Sequence, residues 1–202
     1  MRPATDALIV VDVQNDFCPG GALAVTGGHE VVPLINALMD DFQTVVLTQD
    51  WHPLHHSSFA DNHPDAAPFD SVEMSYGSQI LWPAHCVQGQ HGAEFHPDLR
   101  TDTAHAVIRK GHHAQIDSYS AFFENDRTTS TGLTEWLRAQ GVDRVVIAGL
   151  AADFCVAYSA LDAISEGFDV EVRLDASRGI DLDGSMDRMT RLMRDAGIRL
   201  EG

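Results

Sequence analysis

Basic side chains are scarce in this 202-residue chain: 13 Lys and Arg stand against 30 Asp and Glu, for a formal charge of −17 and a pI near 4.7. Phosphate backbones and anionic membrane surfaces are held by clustered cations, so neither a nucleic-acid partner nor a membrane surface is expected. The acidity itself reads as a solvated, solubilising face. Cysteine is also sparse. Cys18, Cys86 and Cys155 are odd in number and far apart, with no Cys-x-x-Cys pair. That excludes a disulfide framework and a thiolate zinc cluster, and it fits a reducing compartment. Long apolar runs are missing too. The first, at residues 7–13, is interrupted by Asp12 and is too short for a signal segment or a membrane span, so a cytoplasmic protein is expected. Low-complexity tracts and internal repeats are absent. With 44% hydrophobic and 21% charged residues, the chain has the composition of one globular domain spanning 1–202.

What is present is an alternation of short β-branched runs with helical periodicity. Strands are expected near 7–12, 44–49, 105–110, 144–149, 169–174 and 198–200, and helices near 29–41, 132–140, 154–166 and 184–195. Gly132, Gly141, Gly167 and Gly197 stand where helices should start or stop. Strands as continuously apolar as residues 7–11 and 145–148 need cover on both faces. The expected architecture is therefore α/β: an open, mainly parallel six-stranded sheet with helices on both faces, a three-layer sandwich.

Chemically capable residues close several of these strands. Asp12, Asp50 and Lys110 end the first three, and Cys155 lies just past the fourth, where the strand runs into a helix. In an open parallel sheet these ends share one edge, and ligands bind in the crevice there. Singly, each has an ordinary alternative: a turn cap for Asp12, an Asx turn for Asp50, a solvated charge for Lys110, a packed thiol for Cys155. Together they make a carboxylate to accept a thiol proton, an ammonium to stabilise both anions, and a thiol to attack a carbonyl. The helix end after the strand is expected to lower the Cys155 pKa, and its N–H groups can hold an oxyanion. Protonated Asp12 could then donate to a leaving amine, so the reaction class is acyl transfer.

Residues 50–104 break the pattern. They show no long regular element, yet residues 52–105 carry eight histidines and residues 50–104 two of the three tryptophans. A stretch of that length inside a compact domain is expected to be ordered and functional. It holds Asp50-Trp-His52 and, farther on, His85. Asp-x-His places two ligand atoms on one side of an extended segment, and His85 can complete three. Mixed carboxylate and imidazole donors with open positions suit Zn²⁺, Fe²⁺ or Mn²⁺ in a catalytic site.

These segments resemble the isochorismatase-like cysteine hydrolases and, within them, the bacterial nicotinamidases, which also act on pyrazinamide. The resemblance runs nearly end to end. It is carried by Val10-Val-Asp-Val-Gln-Asn-Asp-Phe-Cys-Pro-Gly-Gly21, Thr48-Gln-Asp-Trp-His-Pro53, Ser57-Ser-Phe59, Leu81-Trp-Pro-Ala-His-Cys-Val-Gln-Gly89, Arg109-Lys-Gly111, Asp117-Ser-Tyr-Ser-Ala-Phe-Phe123, Gly149-Leu-Ala-Ala-Asp-Phe-Cys-Val156 and Ala176-Ser-Arg-Gly-Ile-Asp181. It implies a triad of Asp12, Lys110 and Cys155 and a divalent metal, Zn²⁺ foremost, on Asp50, His52 and His85. It further implies a cis peptide at Leu150–Ala151, an oxyanion hole from the N–H groups of Ala151 and Cys155, and a pyridine ring held by Phe17 and Trp82 with Tyr119 beside it. The implied activity is hydrolysis of nicotinamide, a linear carboxamide, to nicotinate and ammonia through a thioester, in pyridine nucleotide salvage. Some relatives use one more histidine after the Asp-x-His motif; of His55 and His56, the latter is favoured. Relatives often carry Thr or Ser where this chain has Ala152. Cys86 has no assigned role, and a homo-oligomer is compatible with the sequence without being specified by it.

Two other readings account for part of this. An amidase for carbamoyl or ureido substrates would need neither the metal loop nor the aromatic pair. A non-catalytic metal-binding or thiol-sensing module would leave Lys110 without a purpose.

Overall fold

A computed structural model describes all 202 residues. In chain order the regular elements are β1 (Asp6–Val11), α1 (Val31–Met39), β2 (Thr44–Asp50), β3 (Ser71–Met74), β4 (Gly77–Ile80), β5 (Ala106–Lys110), α2 (Leu133–Ala139), β6 (Arg144–Leu150), α3 (Ala157–Ser165), β7 (Asp169–Arg178), α4 (Ser185–Asp195) and β8 (Arg199–Glu201). Six strands form one sheet in the order β5-β2-β1-β6-β7-β8, and every neighbouring pair is parallel. The expectation of a mainly parallel sheet is thus met by a wholly parallel one.

Burial explains the strand sequences. All residues of β1 and β2 are buried, whereas the edge strands β5 and β8 alternate buried or half-buried with exposed positions. Helix α1 packs on β1, β6 and β7, while α3 packs on β6 and β7 and against α4. The chain steps from β1 outward to β2 but from β6 outward to β7 and β8 in the opposite direction. Right-handed crossovers then put α1 on one face and α3 with α4 on the other. The reversal leaves a crevice between the carboxyl ends of β1 and β6, where such sheets place their ligands.

Close approach at that crevice requires glycine. Gly149 in β6 has φ +129°, and a Cβ there would collide with the Val11 backbone of β1. Beside it the β6–β7 register shifts between Ile147 and Gly149, and β7 continues to Arg178, beyond the expected end at 174. One apolar core runs through both faces and includes Phe17, Trp82 and Cys155, so the walls of the crevice are part of the core itself.

Two local features were not anticipated. Residues 50–104 contain an antiparallel hairpin, β3 with β4. Its strands are four residues each and mostly exposed or half-buried, so they carry no apolar alternation to read. Helix α3 starts at Ala157 rather than 154, because a π-helical turn, Ala152–Val156, precedes it. No helix is long and apolar enough to cross a membrane.

Candidate active site

The strand ends do converge. Asp50 and Lys110 are register partners across β2 and β5, and Asp12 directly follows β1. From the edge strand, the Lys110 side chain extends across β2 toward β1; neighbouring strands lie ~4.8 Å apart, a distance a long side chain can bridge. Its Nζ forms an ion pair with Asp12 Oδ2 at 2.8 Å and donates to Asp50 Oδ1 and to the Ser118 carbonyl at 3.0 Å, with Cys155 Sγ 3.4 Å away. Lys110 and Asp12 are 0% exposed, and Cys155 is 6% exposed. Lys110 is also the only lysine in the chain. A residue type normally kept at the surface occurs once here, fully buried.

Asp12 takes a left-handed backbone conformation, φ 48°, which short polar side chains tolerate. Thr48 fixes it in place: its hydroxyl donates to Asp12 Oδ1 at 2.6 Å and accepts from the Asp12 N–H at 3.2 Å. Gln14 does the same for Asp50, accepting from its N–H at 2.8 Å and donating to its carbonyl at 2.9 Å.

The two aspartates differ electrically. Burial raises the Asp12 carboxyl, and Lys110 offsets only part of that, so it stays above the usual carboxylate range. Burial acts on Asp50 as well, but Lys110 and His52 outweigh it and hold that carboxyl well below. Burial would lower the Lys110 ammonium, yet Asp12 and Asp50 keep it well above its ordinary value. For Cys155 the expectation of a lowered pKa is corrected. Burial pushes the thiol well up, and the attraction of Lys110 does not compensate with Asp12 and Asp50 nearby. A resting thiol therefore needs a base, and Asp12 is the neighbour able to act as one.

Asp50, His52 and His85 form one buried group whose ligand atoms lie within 4.8 Å of one another. His52 Nδ1 is bonded to the Gly111 carbonyl at 2.8 Å and His85 Nδ1 to the Pro83 carbonyl at 2.8 Å. Each ring thus gives its Nδ1 proton to a carbonyl, leaving the Nε2 atoms 3.5 and 3.8 Å from Asp50 Oδ2. Fixing the tautomer by a carbonyl is how metal-binding imidazoles are held, and the donor set suits a divalent metal. Gly111, φ +65°, must be glycine because a Cβ would fall on the His52 ring. Asp16 secures the other arm, accepting from the Cys86 N–H at 2.7 Å next to His85.

His56, expected as a further ligand, is not in that trio but forms with His52 and Asp117 a second buried group whose ligand atoms also lie within 4.8 Å of one another. It is buried beside His52, with ring centroids 4.5 Å apart, and both of its nitrogens already have partners in the protein. Nδ1 meets Ser58 Oγ at 2.7 Å and Nε2 the Ile116 carbonyl at 3.1 Å. Burial and His52 push its pKa down to about 4, so it is neutral.

A narrow pocket lies between the two groups. Phe17, Trp82, Tyr119, Phe154 and Ile180 line it together with Asp50, His85, Ala151 and Cys155. Trp82 and Phe154 meet edge to face at 5.0 Å, and the Trp82 Nε1–H donates to the Tyr119 hydroxyl at 3.2 Å. The walls fit a flat aromatic ring. Leu150–Ala151 is cis, as the resemblance implied, and the Ala151 N–H, in the cavity wall, has no hydrogen-bond partner in the protein.

Sequence reasoning missed Phe154, Thr48, Gln14 and Asp153. All four belong to segments that carry the resemblance, but only three-dimensional contact reveals their work. Asp153 accepts from the Ile180 N–H at 2.9 Å and the Asp181 N–H at 2.7 Å, and also from the Ser185 hydroxyl, so it holds the wall that carries Ile180.

The isochorismatase domain model matches residues 6–200. The chain is 53% identical over 193 residues to a nicotinamidase of Acinetobacter baylyi, covering 96% of this chain and 90% of that protein. A solved nicotinamidase/pyrazinamidase of Acinetobacter baumanii superposes with a TM-score of 0.98 at 55% identity, covering 100% of this chain and 97% of the other. A pyrazinamidase of Pyrococcus horikoshii solved in complex with zinc gives a TM-score of 0.79 at 37% identity, covering 97% and 98%. With the domain model matching residues 6–200 and a relative 53% identical over 96% of its length, the chain belongs to the isochorismatase-domain family.

Proposed function

We propose that the chain is an amidohydrolase that converts nicotinamide to nicotinate and ammonia, and pyrazinamide likewise, by way of a thioester on Cys155. One observation carries this reading: the only lysine bridges a buried aspartate and a buried thiol at the wall of an aromatic-lined cavity that also opens on Asp50 and His85. Phe17, Trp82, Tyr119 and Phe154 hold the pyridine ring with its carboxamide toward Cys155.

Asp12 takes the thiol proton while Sγ attacks the carboxamide carbon, and Lys110 balances the negative charge as it moves from sulfur toward the carbonyl oxygen. The N–H groups of Ala151 and Cys155 receive that oxygen. Asp12 returns the proton to the leaving nitrogen, which departs as ammonia. Water, deprotonated by Asp12, then cleaves the thioester and releases nicotinate and the free thiol. Asp50, His52 and His85 would hold a divalent metal, which would supply Lewis-acid chemistry at that end of the pocket. Zn²⁺ is our assignment, supported by the His₂Asp donor set and the zinc complex of the Pyrococcus relative; Fe²⁺ and Mn²⁺ suit the same donors. The whole chain acts as one domain, with residues 50–104 supplying the ligands and part of the pocket.

The test is ammonia and nicotinate release from nicotinamide, with pyrazinamide in parallel, by the metal-replete enzyme and by Cys155→Ala. Both amides should be cleaved, and the variant should be inactive. Binding of nicotinamide by replete enzyme without release of ammonia would overturn the reading.

A further inference from the structure

Glu124 is 2% exposed, and its Oε2 is closed to solvent with no hydrogen-bond partner in the protein. An orphaned buried carboxyl oxygen is costly and calls for a counterpart, and burial with Asp117 and Asp126 nearby pushes this group up to about 8. No lysine or arginine pairs with it. What stands over it is a pair of exposed imidazoles, His112 and His113, with ring centroids 4.2 Å apart and inclined by 36°. His112 Nδ1 lies 3.8 Å from Glu124 Oε1. One ligand atom from each of His112, His113 and Glu124 falls within 4.8 Å of the other two.

We propose that His112, His113 and Glu124 form a second divalent-metal site, separate from Asp50, His52 and His85. Two imidazoles and a carboxylate suit a borderline cation of the Zn²⁺, Ni²⁺ or Cu²⁺ class, with the outward positions left to water. The buried carboxylate forms the floor and the exposed rings form the rim, so the ion enters from solvent without any rearrangement of the core. Backbone hydrogen bonds fix the floor: the Glu124 N–H donates to the Thr129 carbonyl at 2.9 Å, and the Glu124 carbonyl accepts from the Arg127 N–H at 2.8 Å. The rim directly follows Gly111, whose carbonyl holds His52. A cation here therefore ties the end of β5 to the loop carrying Glu124, immediately behind one ligand of the first site.

Metal stoichiometry tests the proposal. Apoenzyme is titrated with Zn²⁺ under competition from a chromophoric chelator, and bound metal is counted after gel filtration. The intact protein should take two equivalents. The double variant His112→Ala/His113→Ala removes only exposed side chains, so it should fold, keep one tight equivalent and turn over nicotinamide at the rate of the intact enzyme. His85→Ala should weaken the first equivalent and leave the second, and Co²⁺ bound to His85→Ala should give an imidazole-ligated absorption spectrum that weakens when His112→Ala and His113→Ala are added to it. A single equivalent in the intact protein would overturn the proposal. So would a second equivalent that persists in the double variant, since it would lie on other surface histidines.

Discussion

The two halves of the crevice are built around the same component and behave oppositely. On the β1–β6 side, Asp12 meets Lys110 and Cys155; on the β2 side, Asp50 meets Lys110, His52 and His85. Both carboxylates end a buried strand, and both touch one ammonium. Asp12 has a single cation against its burial and is raised, whereas Asp50 has the ammonium and an imidazole and is held low. Strand position alone therefore does not set the role of an aspartate. Its neighbours leave one raised and hold the other low, the kind of separation that acid–base sites exploit.

The strongest break of that comparison is Cys155→Ala. Turnover should fall on the order of 10⁴–10⁶-fold, while metal content, measured on the same sample, stays unchanged because the β2 half is intact. Removing the shared element comes next. Lys110→Met leaves two carboxylates buried without their cation and should cost about 3–5 kcal/mol of stability, seen as a lower denaturation midpoint together with lost activity. A variant as stable as the parent would show that Lys110 does not bind the halves together. Milder still is chelation, which acts on one half only: activity should disappear with the metal and return with added Zn²⁺, without a change in the reactivity of Cys155. Trp82→Ala should raise KM about tenfold, about 1.4 kcal/mol, and lower kcat less.

The smallest effect concerns a carboxylate outside the crevice and serves as its control. Burial raises the Glu171 carboxyl, but hydrogen bonding to Arg2 and the charges of Arg2 and Arg199 outweigh it, and the group lies below its ordinary 4.5. A depressed carboxyl stabilises the fold above its unfolded pKa, and that contribution disappears as pH falls through the folded value. Both arginines are partly exposed, so Glu171→Gln should cost under about 1 kcal/mol at pH 7. The difference from the parent should vanish in acid, with turnover unaffected throughout.

Much of this could be read in advance, for identifiable reasons. Continuous apolar runs located β1, β2 and β6, and the polar residues that end them located Asp12 and Asp50. Asp50-Trp-His52 is local and needed only its spacing. The ionisation of Cys155 was not legible, because a helix end argues for a lowered pKa while burial and two carboxylates brought from other strands argue more strongly the other way. His56 follows in the same loop, and its bonds to Ser58 and the Ile116 carbonyl could not be read from its spacing. The hairpin β3–β4 is too short and too exposed to leave a periodic signature. Lys110 carried one signal that could be counted and was not used: it has no other lysine for company.

The most direct test of the account is acid-quenched intact-protein mass spectrometry of the metal-replete enzyme during turnover of nicotinamide, followed by peptide mapping. The account predicts a nicotinoyl adduct confined to Cys155, present in the parent and absent from Cys155→Ala, which releases no ammonia. Ammonia release by Cys155→Ala at the parent rate, or an adduct on any other residue, would contradict it.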